Sequence, residues 1–276
     1  MKEKLKKFGK AVDRDLRENT GTFLVYTGLR LLVIGIMVLQ IFNKNFENVF
    51  LCLLTLILML MPSILQATLK IEFPSLLEII ILVFIFAAEI LGEISAFYMK
   101  FPHWDTILHT LNGFLCAAIG FSLVDIMNRE KKLKFEMSPL FMAITAFCFS
   151  MTIGVLWEFF EFFGDIIFHL DMQKDTVITA ISSTYLDPTQ TNKCVQISNI
   201  SDVVVNGNSL GVGGYLDIGL HDTMFDMLVN FVGAIVFSVM GFFYVKSQNA
   251  KGVVDGLVPQ PWSAEKMAGK EKEEMK

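Results

Sequence analysis

PLFMAITAFCFSMTIGVLWEFFEFFGDIIF, residues 139–168, runs without a single lysine or arginine, yet carries Glu158, Glu161 and Asp165 in its last third. About 20 apolar residues in a helix cross a ~30 Å hydrocarbon core, so this run can span a membrane and must tilt or project beyond it. Ionisable groups at that depth are costly and by default mark a functional site with partners of its own. Their spacing is i, i+3 and i+7, which puts them on one helical face and leaves the phenylalanines around Glu161 for lipid. An apolar helix with one polar stripe belongs in a helical membrane bundle.

The rest of the chain repeats the pattern. Further apolar spans are expected at about Thr20–Phe42, Phe46–Ala67, Leu76–Met99, Trp104–Met127 and Asp222–Val245. The predicted fold is all-α, a polytopic transmembrane helical bundle of about six spans over residues 20–246. Pro62 should kink or end the second. Composition agrees: 53% of the 276 residues are hydrophobic and only 18% are charged, against about 25% in soluble domains. Met1–Asn19 reads as a basic helical arm and residues 247–276 as a polar, disordered tail. Neither composition nor the net charge of -5 points to nucleic acid. The four cysteines form no CxxC and no disulfide framework.

Lys and Arg near the span ends set the expected orientation. Lys2, Lys4, Lys6, Lys7, Lys10, Arg14, Arg17, Lys70, Arg129, Lys131, Lys132, Lys134, Lys246 and Lys251 fall on one side; Lys44, Lys100, Lys174 and Lys193 fall on the other. Both termini are thus expected in the cytoplasm, and the long loop at about 169–221 outside. That loop holds β-branched stretches and an Asn206-Gly207 turn signal, so a hairpin or cap is expected there. Its glycine-rich end lacks a GK[ST] and is not a phosphate loop.

With that orientation the intramembrane polar groups gather toward the outer side. Glu89 and Glu93 form one i, i+4 stripe; Asp105, His109 and Asn112 form another; Asp222, Asp226 and Asn230 form a third. Carboxylates converging from several helices build metal sites in bundle proteins. Carboxylate with imidazole suits a divalent metal such as Zn, Mn or Fe. So many acids cannot all stay ionised at close range without a cation; otherwise some take up protons. The expected metal ligands are Asp105, His109, Glu158 and Asp226. Glu161 and Asp222 are the candidate catalytic groups, and Asn230, Asn112, Glu93 and Asp165 the supporting polar ones. Plainer readings stay open. Asp105 and Asp222 suit the favourable N-terminal ends of helices, Asp165 sits at a span end, Glu89 and Glu93 could line a wet crevice, and His103 and His221 read as surface residues. Arg30, deep in the first span, is a candidate counter-charge.

The segments WDTILHTLNGF (104–114), WEFFEFFGD (157–165) and LDIGLHDTMFDMLVNFVGA (216–234) resemble the signature of the YjdF-like bacterial membrane proteins. That family carries an Asp-x-x-x-His helix start, a Trp/Tyr-Glu-x-x-Glu segment and an Asp-x-x-x-Asp helix start followed by Asn/Ala and Gly-Ala. The matching positions are Asp105 and His109, Glu158 and Glu161, and Asp222 and Asp226. The family has no established activity, so the resemblance implies an architecture, a site and a bacterial inner membrane rather than a reaction. It lends nothing to Glu89 and Glu93. A weaker likeness is to the VanZ-like membrane proteins, associated with the cell envelope and glycopeptide resistance; the longer outer loop and the basic arm depart from that pattern.

Three functions fit the residues. One is a metal-dependent enzyme acting on a lipid or envelope precursor at the outer leaflet. Another is a proton- or cation-coupled transporter, although no inverted repeat is visible. The third is a non-catalytic envelope protein whose polar cluster fixes helix packing, with Gly113, Gly120, Gly233 and Gly241 at helix contacts.

Overall fold

The computed structural model describes residues 20–69, 71–129, 137–247 and 256–262. The basic arm and most of the tail lie outside the described residues. Among the described residues, six helical segments are long and apolar enough to cross a membrane, as expected from the runs of apolar sequence. The first span is α1, Thr20–Phe42. The second breaks into α2, Phe46–Leu58, and α3, Met61–Leu69. The break falls at Met59 and Leu60, just before Pro62. Proline cannot donate to the preceding turn but is tolerated in the first turn of the helix that follows.

The third span departs from a plain α-helix. It begins as α4, Ser75–Phe86, and continues as a π-helix, Ala87–Ile94. The Ser95 amide then donates to the Ile90 carbonyl, five residues back, at 3.0 Å. Ala96 turns the chain with φ 56° into the short α5, Phe97–Lys100, which folds Tyr98 back onto Gly92. A Cβ at Gly92 would lie 2.4 Å from the Tyr98 ring. The remaining spans are α6, Trp104–Arg129; α7, Pro139–Phe168; and α8, Leu220–Ser247.

Contacts divide the chain into two compact units. Residues up to Met151, with those from Asn230 onward, form the first; Thr152–Val229 form the second. Helices α7 and α8 each run unbroken through the division.

The first unit is held by two apolar clusters. One joins Tyr26, Val33, Cys52, Met59, Leu82 and Ile90. The other centres on Leu77, Leu115, Phe121, Met142 and Phe237. Within it α6 and α8 approach to backbone contact. A Cβ at Gly113 would lie 2.0 Å from the Asn230 carbonyl oxygen, and one at Gly233 1.9 Å from that of Thr110. Small residues permit such approaches in membrane helices, where packing rather than water exclusion drives association. Lower on the same pair, the Phe121 ring lies against Gly241 and edge-on to Phe237.

Part of the tail expected to be disordered is ordered. Leu257 and Val258 are buried in the α6-centred cluster, and Trp262 is buried as well. Strand β8, Gln260–Pro261, pairs antiparallel with β1, Ile71–Glu72, and the Trp262 indole donates to the Ile71 carbonyl at 2.9 Å. Three apolar residues within a polar stretch are enough to anchor it. Arg30 donates to the Tyr26 hydroxyl at 2.8 Å, one turn away, with its guanidinium 4.9 Å from the ring centre.

In the second unit the long loop is a set of short antiparallel pairs. Strand β2, Thr176–Ile178, pairs with β7, Tyr215–Asp217, closing the loop at its base. Strands β3, Ala180–Ser183, and β4, Val195–Ser198, pair above it. Strands β5, Val204–Val205, and β6, Asn208–Ser209, form the hairpin that the Asn206-Gly207 turn signal predicts. Both turn residues have positive φ, 51° and 85°, as a two-residue turn that matches strand twist requires.

Between β3 and β4 the chain wraps around Asp187. Its carboxylate accepts from the Thr189, Thr191 and Lys193 amides at 2.9, 2.9 and 3.1 Å, and from both threonine hydroxyls. The Thr189 hydroxyl first, then the backbone amides, hold this carboxyl well below its ordinary range. A depressed carboxylate stabilises the turn above its unfolded pKa and loses that contribution only as pH falls through the lower, folded value. Hydrogen exchange should therefore show the three amides protected at neutral pH and still protected at the ordinary aspartate value of 3.8, with loss only below it. Asp187→Ala should remove the protection at every pH.

The α6–α8 approach makes a sharper prediction. Gly233→Ala should lower the melting temperature in detergent by an amount corresponding to about 1–3 kcal/mol, because backbone cannot move aside as a side chain can. Gly28→Ala, where nothing lies within 4 Å, should leave it unchanged.

Candidate functional site

In the first unit the stripe on α6 starts one residue into the helix. Asp105 and His109 face the same way one turn apart, with His109 Nε2 3.5 Å from Asp105 Oδ1. The His109 side chain is nearly enclosed while Asp105 is about one-third exposed, so the carboxylate sits toward the open end. His103 and His169 are exposed, and so is His221 in the second unit, where it pairs with Asp217 at 2.9 Å. Among the described histidines, His109 alone is not exposed, and it lies inside a span.

One turn further along α6, Asn112 donates to Asn230 of α8 at 3.1 Å. Asn230 is 1% exposed, and its own amide nitrogen lies 3.6 Å from the Met151 sulfur. Ser150 of α7 donates to the Gly113 carbonyl at 2.7 Å. The two asparagines expected as supporting polar groups thus join α6 to α8 beside the glycine contacts. Glu89 is buried within the π-helix, and Glu93 follows in the same element. π-Helical turns inside α-helical segments occur often at functional sites.

In the second unit the three acids of α7 separate by depth. Glu158 and Glu161 are buried, 4% and 7% exposed, whereas the phenylalanines between and beside them are about half exposed. Glu161 accepts from the Trp157 indole at 2.8 Å, so one oxygen of this candidate base is already engaged. Glu158 lines a cavity together with Gln173 and Thr223. Asp226, on α8, is 2% exposed.

Asp165 and Asp222 hold the chain that leaves α7. Asp165 accepts from the Met172 and Gln173 amides at 2.6 and 2.9 Å. Asp222 accepts from the Lys174 amide at 2.6 Å. The Gln173 amide side chain donates to the Thr223 hydroxyl. Three consecutive residues are thus strapped across the ends of two helices. The strap fits closely: a Cβ at Gly164 would lie 2.8 Å from the Met172 sulfur, and one at Gly219 2.7 Å from Gln173 Cβ. For Asp165 and Asp222 these bonds give substance to the helix-end reading.

The family of predicted membrane proteins known as DUF2238 matches residues 25–247. The chain belongs to this family. No curated protein and no solved structure matches it. The match takes in all the intramembrane acids, the strap and the loop hairpins, and stops at the last residue of α8.

Sequence reasoning missed three polar residues. Gln173 and Thr223 looked like ordinary loop and helix-start residues; only their partnership reveals a role. Asp125 is buried on α6, beyond the expected stripe. It is a carboxylate inside a span, which was signal enough to single it out.

Removing the Asp165 carboxylate should loosen the strap first. Asp165→Ala leaves two amides without their acceptor, and hydrogen bonds to charged groups are worth about 1.5–3 kcal/mol each. Faster proteolytic cleavage near residues 172–174, with α7 and α8 still folded, is the expected outcome.

Proposed function

We propose that this DUF2238 protein binds a divalent cation at the start of α6, through Asp105 and His109, and uses it on a lipid or envelope-precursor substrate. The observation that carries this reading is the pair itself: His109 Nε2 lies 3.5 Å from Asp105 Oδ1, with the imidazole nearly enclosed, and carboxylate beside imidazole suits Zn, Mn or Fe. Helical register supports it: His109 stands three residues before Asn112 on α6, whose bond to Asn230 fixes that helix. Asp226 and Glu158, the further ligands expected from sequence, enter the proposal on their sequence spacing alone.

Catalytic metal sites keep coordination free for water or substrate beside their protein ligands. A metal held there would supply a nucleophilic water or polarise a phosphoryl or carbonyl oxygen. The chain's own residues would fix the ligands: Asp105 orients the His109 ring from one turn away, and the asparagine pair clamps the two helices below. The YjdF-like resemblance, a bacterial inner membrane and cytoplasmic termini belong to this reading. Together they put the ligand-bearing helix starts on the extracytoplasmic side, at headgroup depth.

A second reading has its own observation. The Asn112–Asn230 bond beside the Gly113 and Gly233 contacts is how polar and small residues glue membrane helices. There the acids would serve packing alone.

Elemental mass spectrometry on the detergent-purified protein separates the two. Near-stoichiometric zinc, manganese or iron is expected in the wild type. It should be lost in His109→Ala and Asp226→Ala, with both variants eluting as folded protein and melting as the wild type does. Wild-type protein that stays metal-free after incubation with each of these ions sinks the metal reading and leaves the packing one.

A further inference from the structure

In the first unit, α1 carries a fixed charge that its neighbours do not balance. Among the described spans, Arg30 is the basic residue that lies away from a span end. Its Cα stands roughly 15 Å along the helix from Thr20, at about 1.5 Å per residue. A charge at that depth is costly and normally pairs with an opposite charge or with backbone carbonyls. Among the described residues Arg30 does neither: it donates to the Tyr26 hydroxyl at 2.8 Å and lies over the face of the same ring. The acid whose charge reaches this pair is Glu78, in the first turn of α4. It forms no ion pair with Arg30 and has a further interaction of its own.

We infer that Arg30 binds the phosphate of an anionic phospholipid, in the leaflet next to the chain's basic arm. The chemistry is a surplus of donors. A guanidinium has five N–H groups, and the bond to Tyr26 uses one of them. The Tyr26 oxygen accepts in that bond, so its own O–H remains to donate. Thr22, one turn nearer the helix start, is 2% exposed and its hydroxyl has no hydrogen-bond partner. Thr22, Tyr26 and Arg30 recur at i, i+4 and i+8, on one helical face. What this stripe lacks is an acceptor, and a phosphodiester has nothing but acceptors. The planar fork of arginine matches two phosphate oxygens at once.

The source follows from placement. Side chains on a helix lean toward its N-terminus, and the bond to Tyr26 holds Arg30 in that direction. The guanidinium thus lies near the level of Tyr26, whose Cα is roughly 9 Å from the helix start. Its apolar stem stays in hydrocarbon while the charge snorkels toward the headgroups, and local thinning of the bilayer closes the remaining gap. Arg30 is half-buried, and Leu24, Leu31 and Leu32 of the same span are exposed, so lipid reaches this helix. A free phosphate ion has no acyl chain to carry it into such surroundings. The sequence before α1 adds a longer-range attraction. Lys10, Arg14 and Arg17 stand in a stretch where basic residues outnumber acidic ones, and juxtamembrane charge of this sign gathers anionic lipid. The inference is independent of the metal reading and uses none of its ligands.

Native mass spectrometry of the full chain in detergent, with phosphatidylglycerol and phosphatidylcholine of equal chain length as probes, tests it. The wild type should retain phosphatidylglycerol in preference by about tenfold, equivalent to about 1.4 kcal/mol. Arg30→Gln should abolish the preference. Arg30→Lys keeps the charge and loses the fork, and should retain only part of it. Tyr26→Phe keeps the ring and loses the hydroxyl, and should weaken it with the charge unchanged. Metal content should stay at the wild-type level in all three. No preference in the wild type overturns the inference. So does a preference that survives Arg30→Gln in folded protein, the result expected if the basic arm alone selects the lipid. An undiminished preference in both Arg30→Lys and Tyr26→Phe overturns it even where Arg30→Gln fails to fold. Displacement of the lipid by an excess of inorganic phosphate overturns the lipid source.

Discussion

The closeness of α6 and α8 constrains everything built on them. At Gly113 and Gly233 each helix presents a backbone carbonyl to the other at a distance no side chain would allow. In a bilayer the hydrophobic effect does not press helices together, because lipid tails are as apolar as leucine. What remains is contact, and contact is greatest where backbones touch. The Asn112–Asn230 bond lies at this crossing and is worth more for its registry than for its energy: a shift of one residue along either helix would leave Asn230, 1% exposed, without Asn112. His109, three residues nearer the start of α6, inherits that registry and is placed by groups that are themselves neutral.

The carboxylates then divide by what lies beside them. Asp165 and Asp222 sit where helices end, near backbone amides that have no partner within a helix, and each accepts from such amides. Glu158 and Asp226 lie deeper, where backbone amides are already bonded within the helix. Depth along the helix therefore separates acids that fasten a loop from acids enclosed inside a span. Chain order does not: Asp165 and Glu158 are two turns apart on one helix.

The spans were legible because a bilayer imposes one rule on all of them, and residues 20–42 and 139–168 were bounded to the residue. The hairpin at Asn206-Gly207 was legible because a two-residue turn with both φ positive admits few residue types. The π-helix at Glu89 was not. Its sequence, AAEILGEI, suits an α-helix equally well, and what selects the wider turn is the return of Tyr98 onto Gly92, a contact between residues whose pairing no local pattern announces. The ordered Leu257–Trp262 was hidden for a related reason. Average polarity suggested disorder across the tail, but burial of Leu257, Val258 and Trp262 outweighs the ordering of one short segment. The polar stripes were visible as periodicity. The strap was not, since it depends on Gln173 meeting Thr223 across a loop of 49 intervening residues, at a sequence separation of 50.

Placing acids in a membrane costs free energy that a protein with no use for them would avoid by substitution. Where the acid fastens backbone amides, the hydrogen bonds offset that cost, and Asp165 requires no further explanation. Asn112 and Asn230 are accounted for likewise, by each other. Glu158 and Asp226 are buried inside α7 and α8, at 4% and 2% exposure. Ionisable groups so placed in a membrane are by default functional, which makes these two acids more informative about function than those that fasten the strap.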